Sequence, residues 1–205
     1  MTPVDEVSAG TPRRTRLSRD ERQRRIIEAG LKVFGDRGFR GVSMSDVAAE
    51  CGVTKGLLYE HYSSKEELYD ACVEQARADL FDRLEAAIDR GGPDPLRNFI
   101  DEYFDYMEAN RDRSWLLYGD ASAAAVNRMR DRNAAAVAGM ITRVVGPAAE
   151  RVSPQQLLML AAGLVGQGEH LARYWTESTA IPRVEIVASH YAMASGAIAA
   201  VLNGK

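Results

Sequence analysis

The sequence predicts an all-α protein of about nine helices, in which a small N-terminal three-helix unit is followed by a larger helical body. Three observations lead there. Apolar residues recur at helical spacing through most of the 205 residues, and no segment alternates with period two for the length of a strand. A serine, threonine or aspartate followed three positions later by an acidic residue or glutamine marks one helix start after another.

Ser18-Arg19-Asp20-Glu21 is a capping box, and Ile26, Ile27, Gly30, Val33 and Phe34 behind it form one helical face. Gly38-Phe39 ends that helix, because glycine accepts the left-handed position and the next apolar side chain folds back. Ser43-Met44-Ser45-Asp46 repeats the box and opens a helix of about two turns that closes at Gly52. Thr54 caps the next one, whose inward residues are Leu57, Leu58 and Tyr62. Two short helices joined by Cys51-Gly52-Val53 make a helix-turn-helix. Ser64-Lys65-Glu66-Glu67 is read as one more capping box, and the periodic Leu68, Cys72, Ala76, Leu80, Leu84 and Ile88 carry a long helix to the Gly91-Gly92-Pro93 break. Asp94-Pro95 opens a helix to about Asn110, and residues 114–145 read as mainly helical, divided near Gly119. Ser153-Pro154-Gln155-Gln156 starts a long apolar helix towards Trp175, and Pro182 opens the last.

Charge separates the two parts. Residues 1–65 hold 12 Lys and Arg against 9 Asp and Glu, a net of +3, whereas the whole chain is −3, which leaves −6 for residues 66–205. Residues 11–25 concentrate seven arginines against two acids, a positive arm of the kind that attracts phosphate. No apolar run is judged long enough to cross a bilayer, so no membrane partner is expected. The start MTPVDEVSAG has no apolar core of a secretory signal, and a cytoplasmic location is expected. Cys51 and Cys72 stand alone, without the spacing of a zinc site or a disulfide framework, and are expected to be small core residues. No metal or cofactor is expected.

The order of signals from Gly38 to Leu68 resembles the TetR family of repressors: the Gly-Val turn at Gly52-Val53, Lys55-Gly56-Leu57-Leu58-Tyr59-Glu60-His61-Tyr62 in the second helix, and Ser64-Lys65-Glu66-Glu67-Leu68 opening a long one. The resemblance covers residues 18–68 well. Beyond them only length and helical content agree. It implies a dimeric repressor, released from its operator by a small apolar or amphipathic ligand, with a DNA-binding domain at 18–65, preceded by a flexible basic arm at 1–17 and followed by a ligand-binding and dimerisation domain at 66–205.

Groove geometry assigns roles within that head. A recognition helix presents its first turn to base edges, which makes Thr54, Lys55 and Leu57 the candidates for reading sequence, with Gly56 permitting close approach. Lys55 could serve guanine or phosphate, and both remain open. By resemblance, Tyr59 and His61 bond the DNA backbone. Ser43 and Ser45 join the set because the helix starts at Ser43, Thr54 and Ser64 offer free amides to phosphate, and the resemblance implies that Lys65, whose charge lies there, contacts phosphate too. Val47, Ala48, Val53, Leu58 and Tyr62 are expected to be the core of the head.

One head binds weakly, so the expected partner is double-stranded DNA as a palindromic operator, gripped by a homodimer. Small residues crowd the last two helices, including Ala161, Ala162, Gly163, Gly166, Ala188, Ala192, Gly196 and Ala199, and the resemblance places the dimer interface there. A small-molecule effector is expected in an apolar pocket walled by Tyr103, Met107, Trp115, Tyr118, Gln167 and His170. Glu169 is also singled out, because a polar side chain inside an apolar helix needs a partner. The alternative is a helical enzyme or ligand-binding protein acting on a lipid-like molecule. Its support is thin, since Glu169 and His170 are adjacent and point to different sides of a helix, and no nucleophile accompanies the three histidines.

Overall fold

A computed structural model describes residues 18–111, 123–178 and 180–204. The described residues form eight α-helices and one 3-10 segment: α1 (Arg19–Arg37), α2 (Met44–Cys51), α3 (Lys55–His61), α4 (Lys65–Asp89), α5 (Pro95–Ala109), α6 (Ala123–Val145), a 3-10 turn (Gly146–Arg151), α7 (Pro154–Glu177) and α8 (Arg183–Leu202). No strand occurs among them. The basic arm and the expected division near Gly119 lie outside the described residues.

The caps explain most of these limits. The Ser18 hydroxyl accepts from the Glu21 amide at 3.1 Å while the Glu21 carboxylate accepts from the Ser18 amide at 2.8 Å. Ser43 and Asp46 repeat that exchange at the start of α2. Gly38 (φ 77°) and Gly52 (φ 69°) end α1 and α2 in a region that favours glycine. At α4 the expected box opens. Ser64 caps the Glu67 amide, but the Glu67 carboxylate accepts from the amide and hydroxyl of Ser63, at 2.7 and 2.6 Å, because that serine offers two donors together.

Packing places the division between head and body inside α4. The first core contains Ile26, Phe34, Val47 and Leu58 and extends beyond the expected boundary at Lys65, through Leu68 and Tyr69 to Cys72. The second begins at Ala76, and Leu31 of α1 packs against both. A Cβ on Gly30 would lie 2.5 Å from Cys72 Sγ, so the Cys72 side chain packs directly on the backbone of α1 there. Burial pushes the Cys72 thiol up to about 12. At 1.5 Å per residue α4 is a rod of about 37 Å, shared by the two parts.

In the body, Phe104, Met107, Trp175 and Val187 form the centre, with Phe104 and Trp175 edge to face at 5.6 Å. Trp175 Nε1 donates to the Ile181 carbonyl at 2.9 Å and fixes the turn into α8. Arg183 binds the Asp101 carbonyl at 2.7 Å and the Asp105 carboxylate at 2.6 Å, which ties α8 to α5. Contrary to the expectation of no long apolar run, α8 is long and apolar enough to cross a bilayer by length and composition, although 28% of that stretch is buried in the fold. Ile186, Val187, His190 and Ala194 form its buried face.

Candidate nucleic-acid interface and interior cavity

The head is built so that α3 shows one face to solvent. Leu58 is fully buried and Leu57 half-buried, while Thr54, Lys55, Gly56, Tyr59 and Glu60 are exposed. The Thr54 hydroxyl accepts from the Leu57 amide at 3.2 Å and starts the helix. The Lys55 ammonium lies 5.8 Å from the centre of the Tyr59 ring, so a cation and a 45% exposed tyrosine form one outward unit. His61 is half-buried at the end of α3. Ser43 is exposed but engaged with Asp46, whose carboxyl is held below its ordinary value by those Ser43 bonds, with Arg37 adding to them. Ser45 is exposed beside it, as are Arg19, Arg24 and Arg25 on the first turns of α1.

Lys65 also has partners inside the head. Its ammonium donates to the carbonyls of Phe39 at 2.9 Å and Val42 at 3.0 Å and sits 4.1 Å from the centre of the Phe39 ring. Two of its three donors are thereby used to anchor the loop before α2 to the start of α4. Those carbonyls lie 26 and 23 residues earlier, so no local pattern signals them.

Gly56 is informative because the protein leaves it room. A Cβ there would meet nothing closer than the Thr54 hydroxyl at 4.0 Å. Glycine inside a helix costs about 1 kcal/mol relative to alanine, and no neighbour within the chain requires it. Gly56→Ala is therefore expected to raise stability by about 0.5–1 kcal/mol and to weaken DNA binding, by melting and by gel shift respectively. Unchanged DNA affinity would remove Gly56 from the interface.

The body encloses a cavity between α4, α5, α6, α7 and α8, with about 960 Å³ free of protein atoms, its mouth to solvent included. Leu84, Ile100, Val137, Met140 and Leu164 give it an apolar wall. Of the expected pocket residues, Tyr103 lines it. Met107 is fully buried in the core behind. Gln167 is half-buried away from the lining, and His170 is exposed beside Arg173, because successive residues rotate by about 100° around α7. Trp115 and Tyr118 lie outside the described residues. Glu169, one position before His170, faces the cavity together with Asn133 and His190.

These three side chains carry buried atoms without a hydrogen-bond partner among the described residues: Asn133 Oδ1, Glu169 Oε1 and His190 Nδ1. Burial pushes the His190 imidazole down to about 4 and keeps it neutral. Burial also pushes the Glu169 carboxyl up, against the pull of Arg130, whose Nε lies 2.9 Å from Oε2. Sequence reasoning missed Asn133 and His190, although the Ile186, His190, Ala194 spacing carries a signal for the histidine.

Comparison with known proteins decides what this architecture is. The family model for bacterial regulatory proteins of the tetR family matches residues 26–72, the span from the first to the last residue of the head's core. The chain is 32% identical over 176 residues to the HTH-type transcriptional activator FasR of Mycolicibacterium smegmatis, covering 82% of this chain and 78% of that protein. The chain belongs to the TetR family. This TetR-family regulator is also 32% identical over 94 residues to the HTH-type transcriptional repressor SCO4008 of Streptomyces coelicolor, 46% of each chain. A TetR-like transcriptional regulator from Rhodococcus sp. RHA1 superposes with a TM-score of 0.65 at 28% identity, covering 93% of this chain and 100% of that one. A tetR-family regulator from Streptomyces coelicolor shares the fold, with a TM-score of 0.77 at 23% identity over 92% and 85% of the two chains. The protein is thus a DNA-binding transcriptional regulator. Its relatives are regulators, which sets the enzyme alternative aside.

Proposed function

We propose that this TetR-family regulator acts in the cytoplasm as a homodimeric repressor on a palindromic operator, and that a small apolar or amphipathic ligand in the body cavity releases it. The observation that carries this reading is the double membership of α4. Leu68 and Cys72 belong to the core of the head, whereas Leu80, Leu84 and Ile88 line the cavity. A ligand that presses on the second half of the rod tilts the first half and moves α3 with it, which couples the two sites. Thr54, Lys55, Gly56, Leu57, Tyr59 and His61 contact the DNA, with Ser43 and Ser45 at the neighbouring helix start.

The small-residue faces support the dimer. On α7 the exposed Met159, Ala162, Gly163, Gly166 and Tyr174 follow helical spacing, and on α8 Ala188, Ala192, Gly196 and Ala199 do the same. A Cβ on Gly163, Gly166 or Gly196 would meet nothing within 4 Å. Packing within one subunit therefore does not use these glycines, and a second copy would, as a four-helix bundle.

The similarity to a protein named as an activator favours a second reading, in which operator occupancy recruits transcription. A reporter separates the two by the sign of its response. Both require the dimer, which sedimentation tests. The wild type is expected to sediment as a dimer and to shift a palindromic fragment from its own promoter region. Gly166→Arg with Ala192→Arg is expected to give a monomer with affinity lower by on the order of a hundredfold, the loss of a second tethered head. A monomeric wild type, or a monomeric variant that binds equally well, would overturn the reading.

A further inference from the structure

We propose that the body cavity takes a neutral apolar molecule bearing a hydroxyl group, held with that hydroxyl among Asn133, Glu169 and His190. The inference rests on the ligand-sensing reading above and specifies the chemistry of the ligand.

Asn133, Glu169 and His190 line the same cavity, and His190 packs on the turn of α7 that carries Glu169. A Cβ on Gly168, the neighbour of Glu169, would lie 3.6 Å from both Cε1 and Nε2 of His190. Arg130, whose Nε binds Glu169 Oε2 at 2.9 Å, stands one helical turn before Asn133 on α6. Each of the three presents a buried atom without a hydrogen-bond partner among the described residues, and apart from Arg77 and Tyr103 the rest of the wall is apolar. Groups of this kind are paired in folded proteins because leaving them unpaired is costly.

The identity of those atoms selects the ligand. The free oxygens of Glu169 and Asn133 are acceptors, so the ligand must donate, and a hydroxyl with its one proton serves one of the two. A neutral imidazole offers one N–H and one lone pair, which lets His190 serve the oxygen of the same hydroxyl. A carboxylate brings only acceptors and would face Glu169 Oε1. Charge argues the same way. The two charged groups of the lining are already paired, Arg77 with Glu74 at 3.0 Å and Glu169 with Arg130, so an ionic head of either sign would be buried without its own counter-ion.

Titration calorimetry of the full chain with 1-octanol, 1-methoxyoctane, octanoate and octylamine tests this, because the four share one alkyl chain and differ in the head. 1-Octanol is expected to bind at least tenfold more tightly than each of the others. In Asn133→Leu with Glu169→Leu, or in Asn133→Leu alone if the pair does not fold, the preference over 1-methoxyoctane is expected to shrink to about twofold or less. That ratio is internal to each variant, so general damage to the body leaves it unmoved. Equal binding of 1-methoxyoctane to the wild type would overturn the hydroxyl while leaving an apolar sensing cavity. Tighter octanoate or octylamine would overturn it in favour of a charged head. A preference that survives the substitutions would place the hydroxyl elsewhere, and failure of all four to bind would overturn the sensing reading as well.

Discussion

Replacing Lys55 and Tyr59 together by alanine is expected to lower operator affinity by about a hundredfold, with the melting temperature almost unchanged. Each direct contact to a base edge or phosphate is worth about 1–3 kcal/mol, and a factor of ten is about 1.4 kcal/mol, so two lost contacts per head give at least that loss. The fold should not notice. Tyr59 is 45% exposed, its recorded ring contact is Lys55 itself, and the apolar face of α3 is held by Leu58. Exposed substitutions of this kind stay within about 0.5 kcal/mol of neutral. Gel-shift titration beside a thermal melt separates the outcomes. Unchanged affinity would remove both residues from the interface, and a large fall in melting temperature would make them structural.

Acidification from pH 6.5 to about 4 is expected to remove about 3 kcal/mol of stability through His190 alone. The sign follows from which state takes the proton. In the unfolded chain this imidazole titrates at 6.5, whereas burial holds it at about 4 in the folded body. Between those values the unfolded state binds more protons, so stability present above pH 6.5 is lost as pH falls and stops changing below about 4. The size is the depression multiplied by about 1.36 kcal/mol per pH unit. Glu169 works in the opposite sense, because a carboxyl raised by burial takes up its proton first in the folded state. Urea titrations of the wild type and His190→Gln across this range isolate the histidine by difference, since Glu169 titrates in both. Parallel curves would mean that the ring is hydrated or already partnered.

The head was legible because its signals are local. Ser18 with Glu21, Ser43 with Asp46, and Thr54 each act across three residues, while Gly38 and Gly52 stop helices where they stand. The exchange of Ser64 for Ser63 as the partner of Glu67 was not legible, since two adjacent serines present the same pattern. The clamp by Lys65 was not either, because its carbonyl partners become neighbours only once α1 has folded against α4. In the body, spacing identified α7 as polar at Gln167, Glu169 and His170, but which of them turns inward depends on how α6 and α8 set its rotation. Packing chose Glu169. His190, which sequence reasoning did not single out, carried a signal in its spacing, as a polar residue at four-residue intervals from Ile186 and Ala194.

The sharing of α4 also defines how this regulator can be recombined. A chimera joined at Lys65 would strip Leu68, Tyr69 and Cys72 from the head and leave Phe34 and Gly30 facing foreign side chains. A junction at Val73, Glu74 or Gln75 keeps both cores whole, so the portable unit is the three-helix head together with two turns of the rod. Leu31 touches both cores, which makes it the position where a transplanted head must be matched to its new body.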